Sequence, residues 1–180
     1  MDVNLSTSMP TASTLEDAAA VYGAAFSHPP YGETAEMAQA FVERVQRYAC
    51  ERDGFRFVTT RSDDGQMTAI ALAVLARPGD WWRDQVAAAV PASLGDRWLG
   101  GLCLEVVHLA VTPAVQGRGL GRLVHDVLIA GRPAATAILS VHPDAKPAQQ
   151  LYQGRGWTIL SKQFRTQPGQ LAYWVMGRQL

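Results

Sequence analysis

Cysteine is scarce in this chain. Cys50 and Cys103 are its only two, too few and too far apart for a disulfide framework or a thiolate metal cluster. Both read as small buried hydrophobes, the usual habit of a free cysteine. There is no surplus of charge either. Sixteen Lys and Arg balance sixteen Asp and Glu, so the chain lacks the basic field that draws nucleic acid through its phosphates. Long apolar runs are missing as well. No stretch approaches the roughly 20 apolar residues that cross a bilayer, and Met1 to Thr14 holds no apolar run behind positive charge. These absences speak against a nucleic-acid partner, a membrane partner and a bound metal, and they lead us to expect a soluble, cytoplasmic protein. Internal repeats and low-complexity segments are absent too.

What is present is a globular composition. Of the 180 residues, 48% are hydrophobic, enough to bury the core of one domain spanning 1–180. Thr14 and Asp17 have capping-box spacing, and Leu15, Ala18, Tyr22 and Phe26 follow at helical period, which predicts a helix over about 14–26. Pro29, Pro30 and Gly32 break it. Met37, Phe41, Val45 and Tyr48 then make the apolar stripe of a second helix. The runs Phe55 to Thr60 and Met67 to Ala76 flank Asp63, Asp64 and Gly65, a hairpin signal.

A helical insertion over about 79–100 carries Trp81, Trp82, Val86 and Val90 behind Asp80 as a possible cap, and then Trp98. A strand over 102–111 leads into a glycine-rich turn and an amphipathic helix bearing Leu120, Leu123, Val124, Val127 and Leu128. A strand over 135–141, a short helix carrying Ala148, Leu151 and Tyr152, and strands over about 157–164 and 171–176 complete the pattern. The class is α/β in one domain.

The chemistry concentrates at Gln116, Gly117, Arg118, Gly119, Leu120 and Gly121, between the strand and the helix. Glycine lets the backbone turn sharply and approach an anion, while the unpaired amides of a helix N-terminus attract phosphate. A pyrophosphate site is the inference, although glycine-rich turns also arise for structural reasons alone. A Walker loop needs Lys and then Ser or Thr after its last glycine, and Gly121 is followed by Arg122 and Leu123. A dinucleotide fingerprint needs a glycine where Arg122 stands, and its first glycine should come directly off the strand, whereas Thr112 to Gln116 intervene with Pro113 inside. Asp144, after the next strand, keeps a dinucleotide-binding oxidoreductase among the alternatives.

The turn resembles that of the GNAT superfamily of N-acetyltransferases: Gln or Arg, two residues, Gly, one residue, then Gly or Ala. Here these are Gln116, Gly119 and Gly121. The likeness runs back through Leu109, Val111 and Pro113 and forward to Ala148, Leu151, Tyr152, Gly156 and Trp157, so that 102–160 is covered closely. It implies a mixed, largely antiparallel central sheet flanked by helices, with acetyl-CoA as co-substrate. It also implies cofactor contacts at Leu109, Ala110 and Val111 on the strand and at Gln116, Gly117, Arg118, Gly119, Leu120, Gly121 and Arg122 on the turn. Ala145 stands where many members have an asparagine that helps hold the cofactor, and Trp157 replaces the commoner phenylalanine.

The resemblance also assigns roles. Glu105 lies eleven residues before Gln116, the spacing of the general base in several members. It is six residues before Val111, roughly 20 Å along a strand at about 3.3 Å per residue, which approximates the reach of a pantetheine arm. An amine with a pKa near 10 must lose a proton, so a base has a definite task; a free glutamate, at about 4.3, needs burial to raise it. The plain alternative is a solvent-facing strand residue.

His108 is better tuned to neutral pH, but three residues from Glu105 alternation places it on the opposite face unless a bulge rotates it. It reads as a structural histidine, and His28, His125 and His142 have weaker claims. Tyr152 matches the tyrosine that protonates the departing thiolate, a role compatible with a ring packed in the core. The Leu109 amide matches the donor to the thioester carbonyl. The acceptor, a small-molecule or peptide amine, would be shaped by Ser27 to Gly32, the insertion and the last strands. Trp81, Trp82 and Trp98 either wall its site or cap a small core. A non-catalytic acyl-CoA sensor of the same fold is the other alternative, and a homodimer is compatible with the sequence.

Overall fold

The computed structural model describes residues 2–131, 134–167 and 169–180. Met1, at the head of the polar N-terminal stretch, lies outside them, as do Arg132, Pro133 and Pro168. In chain order the elements are β1 (Asp2–Ser6), α1 (Ala12–Phe26), α2 (Ala35–Glu51), β2 (Arg56–Arg61), β3 (Met67–Ala76), α3 (Trp81–Ala89), α4 (Ala92–Leu99) and β4 (Cys103–Val111). A 3-10 turn (Pro113–Val115) then leads to α5 (Leu120–Ile129), β5 (Thr136–Val141), α6 (Lys146–Gln153), β6 (Thr158–Phe164) and β7 (Tyr173–Gln179). The expected mixed, largely antiparallel sheet is present with seven strands. β4 and β5 pair in parallel, while β1–β2, β2–β3, β5–β7 and β6–β7 are antiparallel.

The chain divides into two compact units, Met1–Val74 with Val107–Ala130, and Leu75–Val106 with Gly131–Leu180. In the first, α1 starts three residues earlier than the spacing of Thr14 and Asp17 suggests. Thr11 is the cap, its Oγ1 accepting from the Thr14 amide at 3.2 Å, while Asp17 pairs with Arg61 at 2.5 Å. Leu15, Ala18, Val21 and Tyr22 of α1 and Phe41 and Val45 of α2 bury against Phe57, Ile70, Leu72, Val74 and Ala110. Cys50, near the end of α2, is exposed, against the expectation for it; it falls outside the helix's apolar stripe.

β1 goes unannounced by the sequence pattern. It pairs with β2 from Asp2↔Arg61 to Ser6↔Phe57; four of its five residues are exposed, and its only apolar residues, Val3 and Leu5, are too short a run to mark it. Arg56, only 6% exposed, reaches from β2 to the C-terminal end of α5 and donates to the carbonyls of Val127 at 2.7 Å and Ala130 at 3.1 Å. A cation there complements the negative end of the helix dipole.

In the second unit the insertion forms two helices rather than one. Pro91 has no amide hydrogen to continue α3, and the chain turns there into α4. Asp80 precedes α3, but its carboxylate accepts from the Arg77 amide at 2.6 Å instead of capping the helix. Val86, Val90, Trp98 and Leu99 bury against Cys103, Ile138, Leu160, Phe164 and Val175. Trp82 meets Phe164 at 6.0 Å between ring centroids, whereas Trp81 is 60% exposed. Two of the three insertion tryptophans therefore cover a core. β7 lies between β5 and β6, and Gly177 on it is required by packing. A Cβ there would stand 2.8 Å from both Leu160 Cδ1 and Trp98 Cε3.

Candidate active site

In the first unit, β4 runs into the turn that the sequence singles out. The amide and hydroxyl of Thr112 both donate to the Thr68 carbonyl, at 2.9 and 3.2 Å, which fixes where the chain leaves the strand. The Gln116 side chain folds back and donates to the Val111 carbonyl at 3.0 Å. Gly117 and Gly119 have φ of 76° and 86°, the left-handed region that side chains with a Cβ resist. A Cβ built on either would meet nothing within 4 Å. Only the backbone conformation demands glycine here, and the space before the turn is open.

α5 then begins at Gly119 without a side-chain cap or an acidic residue in its first turn. Its first hydrogen bond runs from the Leu123 amide to the Gly119 carbonyl at 3.0 Å, so the preceding amides point out of the helix end. Arg118 and Arg122 are exposed beside them. Cations at a helix N-terminus oppose the dipole unless an anion lies between. The chemistry of this turn therefore fits a pyrophosphate.

One residue before Leu109, His108 sits in an aromatic enclosure. The rings of Tyr22, Phe41 and Phe26 stand 5.2, 5.5 and 6.3 Å from it, all edge-on. Arg44 donates to its Nε2 at 2.7 Å, so the proton of the neutral ring is on Nδ1. Burial, with the Arg44 charge second, lowers the His108 pKa to about 3. Tyr22 donates in turn to Glu33 Oε2 at 2.5 Å. Burial, and then this bond, push its hydroxyl well above the ordinary tyrosine range. His108 stands out in the sequence, but Arg44 and Tyr22 beside it, and Glu33 on Tyr22, do not, because they come from separate helices and a loop. Tyr22 and Phe41 show only as core residues in the helical pattern.

The second unit holds the other two named side chains. Glu105 lies on β4 opposite Ile138 of β5 and is 4% exposed, which excludes the solvent-facing alternative. Tyr152, near the end of α6, is 7% exposed and meets the Trp157 ring at 5.6 Å. Its carbonyl accepts from the Trp157 amide at 3.1 Å, tying the helix end to the start of β6.

At Ala145, the residue in the usual asparagine position, the connection between β5 and α6 is held by other groups. Gln149 donates to the carbonyls of His142 at 2.9 Å and Pro143 at 2.7 Å, and His142 Nδ1 accepts from the Asp144 amide at 3.0 Å. Cys103, also in this unit, is buried, and desolvation above all raises its pKa to about 11. It offers no thiolate at neutral pH. Among the described residues no group of three His, Cys, Asp or Glu could hold a metal, and no helix is long and apolar enough to cross a membrane.

Residues 18–157 match the model of the acetyltransferase (GNAT) family. The chain is 29% identical over 121 residues to a GCN5-like protein acetyltransferase of Mycobacterium tuberculosis, covering 63% of this chain and 59% of that one. It is 30% identical over 150 residues to a mycothiol acetyltransferase of Nocardioides, covering 79% of this chain and 45% of that one. The chain thus spans about half the length of these relatives. In fold it is similar to the ribosomal-protein-S18-alanine N-acetyltransferase of Escherichia coli, with a TM-score of 0.61 at 19% identity, covering 99% of this chain and 94% of that one. It is likewise similar to the PaiA N-acetyltransferase of Thermoplasma acidophilum solved with coenzyme A, with a TM-score of 0.62 at 11% identity and 100% coverage of both.

Proposed function

Because the chain belongs to the GNAT family of acetyltransferases, we propose that it transfers an acetyl group from acetyl-CoA to an amine of a small molecule or peptide by direct attack. The observation that carries this reading is the turn from Gln116 to Gly121. Two left-handed glycines with open space before them lead into an uncapped helix flanked by arginines. The backbone of Gly117, Gly119, Leu120 and Gly121 holds the pyrophosphate, Arg118 and Arg122 add charge, and Leu109, Ala110 and Val111 pair with the pantetheine arm.

Acetyl-CoA supplies an acetyl group activated as a thioester. Glu105 takes the proton that the acceptor nitrogen must lose as the carbon–nitrogen bond forms. Tyr152 gives a proton to the sulfur as the carbon–sulfur bond breaks, and the Leu109 amide donates to the carbonyl oxygen where charge develops. Transfer without an acyl-cysteine is supported by the raised pKa of Cys103. His108 is a poor candidate base, because its Nε2 accepts from Arg44 and its pKa is about 3. For the acceptor, the named relatives point both ways, one being a mycothiol acetyltransferase and the other a protein acetyltransferase.

The test is release of thiol from acetyl-CoA against a panel of amines, with cofactor affinity measured alongside. Glu105→Gln should leave that affinity intact and lower turnover by roughly 10² to 10⁴. The loss should shrink as rising pH deprotonates the acceptor. Acetyl-CoA binding without thiol release for any amine would make the protein a sensor, and absence of binding would overturn the proposal.

A further inference from the structure

A groove in the second unit gathers three arginines. It encloses about 510 Å³ and is lined by Arg97 of α4, Arg155 of the α6–β6 connection and Arg178 of β7, above an apolar surface from Trp98, Ile159 and Leu160. No carboxylate lines it, although acidic and basic residues are equal in number along the chain. The lining is thus locally basic, and like charges that share a groove repel.

Two of the three arginines have no ionic partner among the described residues. The Arg97 guanidinium lies 5.5 Å above the Trp98 ring, an attraction that orients its plane while leaving its hydrogen-bond donors available. Arg178 Nη1 is buried with no hydrogen-bond partner. Leaving such a donor unmet is costly, and more so for a charged group. An oxyanion accepting from it would remove that cost, and a guanidinium fork suits a carboxylate or phosphate in particular.

The groove is also built on regular elements. Gly177 lets the Trp98 ring and Leu160 close onto β7, where any Cβ would collide with both, so the apolar surface is fixed by strand and helix. Its volume falls within the roughly 300 to 1,000 Å³ typical of small-ligand sites. None of its lining residues is among those assigned to acetyl-CoA or to proton transfer. We propose that this groove binds a small organic anion, a phosphate ester or a carboxylate with an apolar body, through Arg97, Arg155 and Arg178.

Titration calorimetry with phenyl phosphate and, separately, benzoate tests this on protein saturated with coenzyme A, so that the Gln116 to Gly121 turn is already filled. Saturable binding of either probe is expected, and the stronger one identifies the anion class. Arg97→Gln and Arg178→Gln should each weaken it about tenfold, as expected for a charged hydrogen bond. Lysine at either position should restore part of the loss, and Arg61→Gln, in the other unit, should change nothing. Should the glutamine variants fail to fold, the side-chain NMR resonances of Arg97 and Arg178 in the unaltered protein should shift on titration. Failure of both probes to bind at millimolar concentration, binding that survives the double glutamine variant, or shifts confined to other arginines would overturn the proposal.

Discussion

Replacing His108 with glutamine should flatten the acid limb of the protein's stability. In the folded chain His108 has a pKa of about 3 against 6.5 for the free side chain. The reason is that its ring lies among Tyr22, Phe26 and Phe41 and accepts from a guanidinium. Between these two values the unfolded chain binds a proton that the folded chain does not, so stability falls as pH falls. The contribution is complete above about pH 6.5, is lost at about 1.4 kcal/mol per pH unit below it, and levels off near pH 3. At about pH 5 the loss amounts to about 2 kcal/mol.

Glutamine is uncharged at every pH and can still accept from Arg44, so it removes the titration and keeps the bond. Urea unfolding at a series of pH values between about 7 and 5 should show the unaltered protein losing about 2 kcal/mol more than the variant. Parallel curves would mean that His108 takes up its proton in the native chain as readily as in the unfolded one. That would refute the donation from Arg44 to Nε2 and reopen the histidine as a base.

Two predictions concern the remaining machinery. Gly119→Asp should abolish measurable acetyl-CoA binding in a folded protein, because the open space before the turn would receive a carboxylate; Gly119→Ala should only destabilise, by the roughly 1 to 2 kcal/mol of a left-handed residue, and calorimetry showing unchanged affinity in the aspartate variant would move the cofactor elsewhere. Tyr152→Phe keeps the packing on Trp157 and removes the hydroxyl, so kcat should fall by roughly 10² while acetyl-CoA affinity stays constant; an unchanged kcat would leave Tyr152 a purely structural residue.

Patterns that repeat within a few residues were legible in the sequence. The stripe Phe41 and Val45, the Asp63 to Gly65 hairpin and the glycines of the turn each specify their element locally, and the structure holds all three. β1 escaped because its alternation is only two apolar residues long, Val3 and Leu5, and its partner is over fifty residues away. The break in the insertion was legible but unread, since Pro91 forbids a continuous helix. Arg44 on His108, Gln149 on His142 and Arg56 on α5 are contacts made by long or polar side chains after folding. Nothing in the spacing of such residues distinguishes them from solvent-facing ones, and even Cys50 and Cys103, alike in type, differ entirely in burial.

Arg56 has a consequence for the ligand it never meets. α5 is ten residues long, about 15 Å at 1.5 Å per residue, and its two poles are served differently. The tail has a guanidinium supplied by the protein, while the head has neither a side-chain cap nor an acidic residue in its first turn. A pyrophosphate held at the turn, as proposed above, would meet the second pole and seat the helix more firmly against β2. On the proposed reading, Arg56 would then influence cofactor affinity from the far side of the helix, and by reciprocity a bound cofactor would steady β2.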